Sequence, residues 1–231
     1  MTKLIRFVFG WCVILALLLG CVRIDAFSTS FYEQFYKESN LASQIGVSEG
    51  DLNKSMDMML DYVLGKRENL DDTIIRYGKE VEVYNEKEKT HMMDVKHLYD
   101  VAMRVLIGAI GIGIGCVLWI TYRYRDLKKI LGQLCAGLLS ATLCFLLVIV
   151  WLGIWILTDF TDFWTHFHGV FFTNDLWLLD PATDFMIVIC PEKMFFTLVV
   201  KILIHFMLGL LPLEAVAYIL LKKKLPIGSD G

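Results

Sequence analysis

Two places in the chain hold residue types that can move protons. The first is His91 with Asp94: on a helix, residues three and four apart share a face, so the imidazole, the carboxylate and the apolar Val95 would line up. A carboxylate in that position can orient the ring or hold its cation, as it does behind a catalytic histidine. The second is the aromatic-rich stretch from Asp159 to Trp177, which carries His166 and His168. These two are two residues apart and point to opposite faces in extended chain, and almost opposite in a helix, so one of them is expected to look into a pocket. His168, just before Gly169 and the Phe171-Phe172 pair, is the one expected there. Asn174 can hold an oxyanion through its amide, and it stands with Asp175 close to Trp177. Histidines set among aromatic rings at a lipid surface are what a reactive site at a membrane would show. The blander readings are a surface ion pair at His91 and Asp94, an interfacial aromatic belt with incidental histidines, and a capped turn at Asn174 and Asp175.

Other ionisable residues fit this chemistry less well. His97 lies six residues beyond His91 and points elsewhere, which makes it structural or solvated. Lys201, His205 and Glu214 fall inside the last apolar run, where charged groups are rare unless they face a cavity or a partner. Lys201 is near enough to the outer interface to snorkel toward a lipid phosphate. Glu214, after Pro212, is expected to pair with Lys222 or its neighbours. Cys190 precedes Pro191 with no flanking cation to lower its thiol pKa, so it reads as a structural thiol.

These residues must be positioned by elements that live in lipid. Of the 231 residues, 56% are hydrophobic, well beyond a soluble domain. Apolar runs recur at residues 4–22 (with Arg6 snorkelling), 101–122, 130–158 and 194–221, each long enough to cross a hydrocarbon core. The expected fold is an all-α polytopic membrane protein with four transmembrane helices and a mostly helical exported domain, residues 23–100, between helices 1 and 2. A basic start and Leu18-Leu19-Gly20-Cys21 resemble a cleaved signal, but three later apolar spans favour a retained helix. The loop at 123–129 holds Arg123, Arg125, Lys128 and Lys129 against Asp126 alone, which makes it cytoplasmic by the positive-inside rule. The loop at 159–193 has six acidic residues to one lysine, and the tail at 222–231 opens with three lysines. Both termini are therefore expected in the cytoplasm, with the two histidine motifs at the outer-leaflet face.

Within residues 26–100, nine Lys and Arg face fifteen Asp and Glu, an acidic aqueous surface. Phe31, Tyr32, Phe35 and Tyr36 suggest an amphipathic helix over 28–45. Ser48 starts another, with Leu52, Met56, Met59, Leu60 and Val63 on its apolar face and Gly65 at its end. The β-branched residues around Tyr77-Gly78 suggest a short hairpin. A helix after Asn85 should run unbroken through His91 into the second span, where Gly108, Gly111, Gly113 and Gly115 allow another helix to approach closely. The stretch from Asp159 to Trp177 reads as a loop lying on the membrane. Four of the six cysteines fall in apolar runs, and there is no Cys-x-x-Cys pair, no phosphate-binding glycine loop, no repeat and no basic stripe for nucleic acid.

At His91-Met-Met-Asp94-Val95-Lys96, together with Phe167-His168-x-x-Phe171-Phe172, Asn174, Trp177, Pro181-x-x-Asp184 and Pro191-x-x-x-Phe195-Phe196, the chain resembles the bacterial lipoprotein intramolecular transacylases. These are four-helix integral membrane proteins of Gram-positive bacteria. The resemblance covers the second half of the chain and the His91 helix, while Ser28 to Tyr84 carries no matching motif. It implies an enzyme that takes a diacylated lipoprotein and moves the sn-2 acyl chain of its S-diacylglyceryl cysteine onto that cysteine's own α-amino group. The family's two essential histidines fall on His91 and His168. Phe171, Phe172, Asn174, Trp177 and Lys201 are the expected substrate contacts, with membrane lipid as the surroundings. Such a transfer needs no cofactor, metal or energy input, only a base for an amine of pKa about 7.7 to 8 and support for an oxyanion. Two other functions compete: a metal-dependent membrane hydrolase with His91, Asp94 and His168 as ligands, although no tight zinc motif is present, and a non-enzymatic membrane scaffold or receptor using the acidic domain.

Overall fold

The computed structural model describes residues 1–223; the expected cytoplasmic tail from Lys224 on lies outside the described residues. Helices run in the order α1 (Thr2–Ala26), α2 (Thr29–Ser39), α3 (Leu41–Ile45), α4 (Glu49–Val63), α5 (Glu86–Tyr124), α6 (Leu127–Thr158), α7 (Phe160–Phe171), α8 (Phe185–Ile189) and α9 (Glu192–Lys222). The hairpin β1 (Thr73–Arg76) and β2 (Lys79–Glu82) stands between α4 and α5. Four helices, α1, α5, α6 and α9, are long and apolar enough to cross a membrane. The protein is an all-α multi-pass membrane protein with little sheet. Its chain divides into two compact units, one of residues 1–23, 102–158 and from 200 on, the other of 24–101 and 159–199.

The first unit contains the apolar stretches of the four long helices. Ile14, Ala141, Phe145, Phe206 and Leu210 are buried at its centre, with Trp11 edge-on to Phe145 at 5.8 Å. Leu118, Leu147, Leu157 and Leu208 point outward, as lipid-facing residues do. The close helix approach is not where the glycine pattern of α5 suggested. Gly108, Gly111 and Gly115 face open space and only Gly113 meets a neighbour, Cys12 of α1. Instead α1 and α6 touch at Gly10 and Gly137, where a β-carbon on Gly137 would collide with the Arg6 carbonyl. Small residues matter only on the face that meets another helix. Glu214 also finds a different partner from the expected lysines: Thr142 of α6 donates to its carboxylate at 2.6 Å. A carboxylate within an apolar helix is satisfied by the nearest donor rather than by a cation two turns away.

The second unit has its own core, built from α2, α3, α4 and α8 with the first turns of α5 and α9. Tyr32 and Tyr36 of α2 are buried in it, so this amphipathic helix rests on protein. Their hydroxyls donate to the Ala26 and Ile189 carbonyls, which removes the cost of burying them. Ser48 caps α4 by accepting from the Asp51 amide at 2.9 Å, and Gly65 takes φ +72° just past its end. The hairpin pairs Thr73 with Glu82 and Arg76 with Lys79. Tyr77 and Gly78 at its tip both take positive φ, as a two-residue hairpin turn requires.

Candidate active site

The site lies within the second unit and begins at the first turn of α5. Asn85 caps that helix by accepting from the Glu88 amide at 3.0 Å, while the Glu88 carboxylate accepts from the Asn85 amide at 2.7 Å. This reciprocal pair is a capping box, legible in the sequence as Asn85-x-x-Glu88. The same buried carboxylate accepts from the amide of Met186, in the first turn of α8, so one side chain ties two helix starts together. Burial raises the Glu88 pKa, opposed by those backbone hydrogen bonds. Beside it Asp184 is buried as well; desolvation alone would raise its pKa, but bonds from the Asp180 amide, Asn85, Thr183 and Lys87 together lower it.

One turn further along, His91 is 6% exposed, and its Nδ1 is buried with no hydrogen-bond partner among the described residues. Its ring stands edge-on to Phe172 at 5.2 Å and 6.3 Å from the ring of His168, tilted by 32°. Desolvation lowers its pKa to about 4, helped by His168 and Lys87 and opposed by the Asp94 charge. At neutral pH this imidazole carries no charge. It lies ten residues before Val101, outside the apolar stretch of α5.

His168 comes from α7, and here the expectation of a loop is corrected. Asp159 caps the segment by accepting from the Asp162 amide at 3.0 Å, and the chain winds into a 12-residue helix. Phe160, Phe163, Trp164, Phe167 and Phe171 recur three and four apart, and aromatic periodicity of this kind belongs to a helix with one greasy face. Trp164 stacks on Phe195 at 4.6 Å, and Phe160 stands edge-on to Phe196 at 5.3 Å. The helix separates the two histidines as their spacing implied. His166 is exposed and bonds back to Asp162. His168 is half-buried between rings, stacked on Trp177 at 4.8 Å and edge-on to Trp164 at 4.8 Å.

The hydrogen bonding of His168 fixes its tautomer. Nδ1 lies 2.7 Å from the Trp164 carbonyl, an acceptor, so Nδ1 carries the hydrogen and Nε2 keeps its lone pair. Desolvation lowers its pKa, which that bond partly offsets. The site therefore offers one neutral imidazole with a bare nitrogen, 6.3 Å from a second neutral imidazole with an unsatisfied one.

The remaining expected residues divide. Phe172 is buried against both histidine rings, whereas Phe171 is half exposed and packs on Phe167 at 4.8 Å. Asp94 does not hydrogen-bond the His91 ring. Its carboxylate accepts from the Asn174 amide at 2.9 Å, and its effect on His91 is through charge alone. Asn174 in turn accepts from the Leu176 amide at 3.1 Å. Lys201 belongs to the other unit, half-buried on α9, and His97 is exposed. Cys190 is buried, and desolvation followed by Glu88 pushes its thiol pKa up. No group of three histidine, cysteine, aspartate or glutamate side chains suited to a metal occurs among the described residues. Sequence reasoning missed Lys87, Glu88 and Trp164; Asn85-x-x-Glu88 was the readable signal for Glu88, and nothing local announces the other two.

A family model described as lipoprotein intramolecular transacylase Lit matches residues 7–196. Among solved structures, the membrane-integral lipoprotein intramolecular transacylase Lit from Bacillus cereus is similar over 97% of this chain and 97% of that one, with TM-score 0.74 and 19% identity. A variant of that protein with one histidine changed to arginine is similar over 97% and 93%, with TM-score 0.69 and 18% identity. Its alanine counterpart gives 97% and 95% at the same TM-score and identity. At these identities the likeness is one of fold. No curated protein matches.

Proposed function

The chain belongs to the lipoprotein intramolecular transacylase family and is an acyltransferase; from that premise we propose how its own residues move an sn-2 acyl chain from an S-diacylglyceryl cysteine to the cysteine's α-amine. The observation that carries the reading is the tautomer of His168, whose Nδ1 is committed to the Trp164 carbonyl and whose Nε2 is left as a base beside His91. The neutral α-amine attacks the ester carbonyl carbon, and Nε2 of His168 takes the proton that the nitrogen gives up. As the tetrahedral intermediate collapses, the bond from carbon to the sn-2 oxygen breaks, and the imidazolium returns that proton to the departing oxygen. An amide and a hydroxyl replace an amine and an ester, and the enzyme ends unchanged. His91 is too weakly basic to hold a proton for this step, so it contributes a hydrogen bond from its neutral ring to the developing oxyanion.

Amine and ester belong to one substrate molecule, so much of the acceleration comes from holding them in an attack geometry with water kept out. Phe172 and Trp177 supply the dry walls, and Phe171 offers an apolar contact for lipid. Lys201 is assigned to the lipid side, and its snorkelling ammonium would meet a phosphate. The charge bias of the short loops supports cytoplasmic termini and a site on the outer face of a Gram-positive plasma membrane, reached by diacylated lipoproteins already inserted there.

The product is an isomer of the substrate, so intact mass cannot report the reaction. Purified protein incubated with a diacylated lipopeptide bearing a deuterated sn-2 chain should block the α-amine and place the label on it in tandem mass spectra. Release of free fatty acid in place of amide would mean hydrolysis and overturn the assignment.

A further inference from the structure

Lys87, His91 and Asp94 lie four and three residues apart on α5, one stripe along one helix face. The outer two both reach the segment that follows α7. Asn174 donates to the Asp94 carboxylate at 2.9 Å, and the Lys87 ammonium donates to the Leu178 carbonyl at 2.6 Å. Between these two ties sits Trp177, stacked on His168 with ring centres 4.8 Å apart and planes 26° apart. Asn174 also accepts from the Leu176 amide, so its side chain fixes the backbone immediately before Trp177.

From this we infer that Lys87 and Asp94 are positioning residues: a two-point clamp from the His91 helix that holds Trp177 against His168 and so sets the spacing of the two imidazoles. The inference rests on the transacylase reading for its kinetic consequences, though not for its geometry. It departs from the usual role of a carboxylate behind a histidine. Asp94 acts on the far imidazole through Asn174 and Trp177, and what it needs for this is an acceptor oxygen rather than a charge. Both ties cross between α5 and a short segment without regular structure, where two fixed points are what prevents the tryptophan from swinging away. A displacement of the base by about an ångström is enough to cost orders of magnitude in rate.

The test uses the full-length protein in lipid-containing micelles, with the diacylated lipopeptide as substrate and the His168 imidazole signal, assigned by its loss in His168→Asn, as a substrate-free readout. Asp94→Ala and Asn174→Ala should each lower kcat about tenfold or more while KM moves within about twofold. Asp94→Asn keeps an acceptor for Asn174 and should stay within about threefold of the parent. The double variant Asp94→Ala with Asn174→Ala should be no worse than either single one, because both remove the same tie. Lys87→Met, which breaks the other tie, should act in the same direction. The ionisable groups on the elements around His168 are His91, Asp94 and Lys87 on α5, His166 and Asp162 on α7, and Asp175. None of these is removed by Asn174→Ala and only Asp94 loses a hydrogen bond in it, so a loosened clamp that admits water should make the His168 signal titrate at higher pH in that variant. Equal damage from Asp94→Asn and Asp94→Ala, a multiplicative double variant, or an unmoved His168 titration would each overturn the clamp. A parent protein inactive on the lipopeptide but with the expected shift in titration would instead overturn the transacylase reading and leave the clamp standing.

Discussion

The imidazoles of His91 and His168 lie 6.3 Å apart, centre to centre, and neither hydrogen-bonds a carboxylate among the described residues. Both have lowered pKa values for which desolvation is the larger cause, and for His91 the neighbouring His168 adds to it. At neutral pH the pair is therefore uncharged. The titration that matters most for rate is then that of the substrate amine, at about 7.7 to 8. We expect log kcat/KM to rise from pH 6.5 with a slope approaching one below about pH 7 and to level off above about 8. A slope of two over that range would mean that one of the histidines is charged there.

Loss of either buried ring should remove the activity while the protein still inserts. His91→Ala and His168→Ala are each expected to lower the rate by about a hundredfold or more, since general-base and oxyanion contributions are of that order. His166→Ala and His97→Ala should retain most of it, because both side chains are exposed and His166 bonds within its own helix turn. Comparable losses at His166 and His168, measured at equal protein levels, would show that α7 presents a different face to substrate.

Burial of neutral His91 also links stability to pH. The unfolded chain binds this proton near 6.5 and the folded chain only near 4, so the unfolded state takes up more protons between those values. Stability from this residue is intact above pH 6.5 and is lost progressively as pH falls toward 4, by about 3 kcal/mol. Thermal unfolding at pH 7 and at pH 4.5 should differ less for His91→Gln than for the parent. An equal drop in both proteins would place the acid sensitivity elsewhere.

Glu88 holds two helix starts from a buried position, and its removal leaves the amides of Asn85 and Met186 without their partner. Glu88→Ala should destabilise the protein by about 2 to 5 kcal/mol, the cost of two unsatisfied buried donors. Glu88→Gln keeps one acceptor oxygen and should fall about midway. If the alanine variant melts with the parent, the double cap contributes nothing to the fold.

How much of this was legible in the sequence depends on how local each signal is. The start of α4 at Ser48, its end at Gly65 and the unbroken course of α5 follow from caps and periodicity within a few residues. The four apolar helices follow from hydropathy alone. The helix α7 was missed because its aromatic content drew attention to the membrane interface, although Asp159 as cap and aromatics three and four apart stood in the sequence. The partner of Asp94 was not readable at all. His91, three residues away, was the natural candidate, whereas Asn174, 80 residues away, is the group that meets it. Likewise the glycines of α5 promised a close helix contact that Gly10 and Gly137 make instead, because spacing says nothing of which face another helix covers.

Membrane orientation can be read by labelling. In a background lacking the six native cysteines, Lys66→Cys, exposed beyond the end of α4, should react with an impermeant maleimide added to intact cells. Lys128→Cys, near the start of α6, should react only after the membrane is opened. The reverse pattern would put the histidine motifs on the cytoplasmic side.

The transfer should be direct, without an acyl-enzyme. The one thiol in the core of the second unit is Cys190, buried just past the end of α8, where desolvation and the nearby Glu88 carboxylate both raise its pKa. A thiol held in this state supplies almost no thiolate at neutral pH, and the thiolate is the nucleophilic form. The Lys87 ammonium does not reverse the effect, being engaged with Leu178 and Asp184. Cys190→Ser, close in size though more polar, should therefore leave turnover within about threefold of the parent, and chelators should leave it unchanged. Mass spectrometry of the protein quenched during turnover should find no acyl group on Cys190, His91 or His168. An acyl adduct on any of the three that forms and decays at the rate of turnover would show nucleophilic catalysis in two steps. The proton path would then run through the enzyme-bound ester rather than from amine to sn-2 oxygen by way of His168.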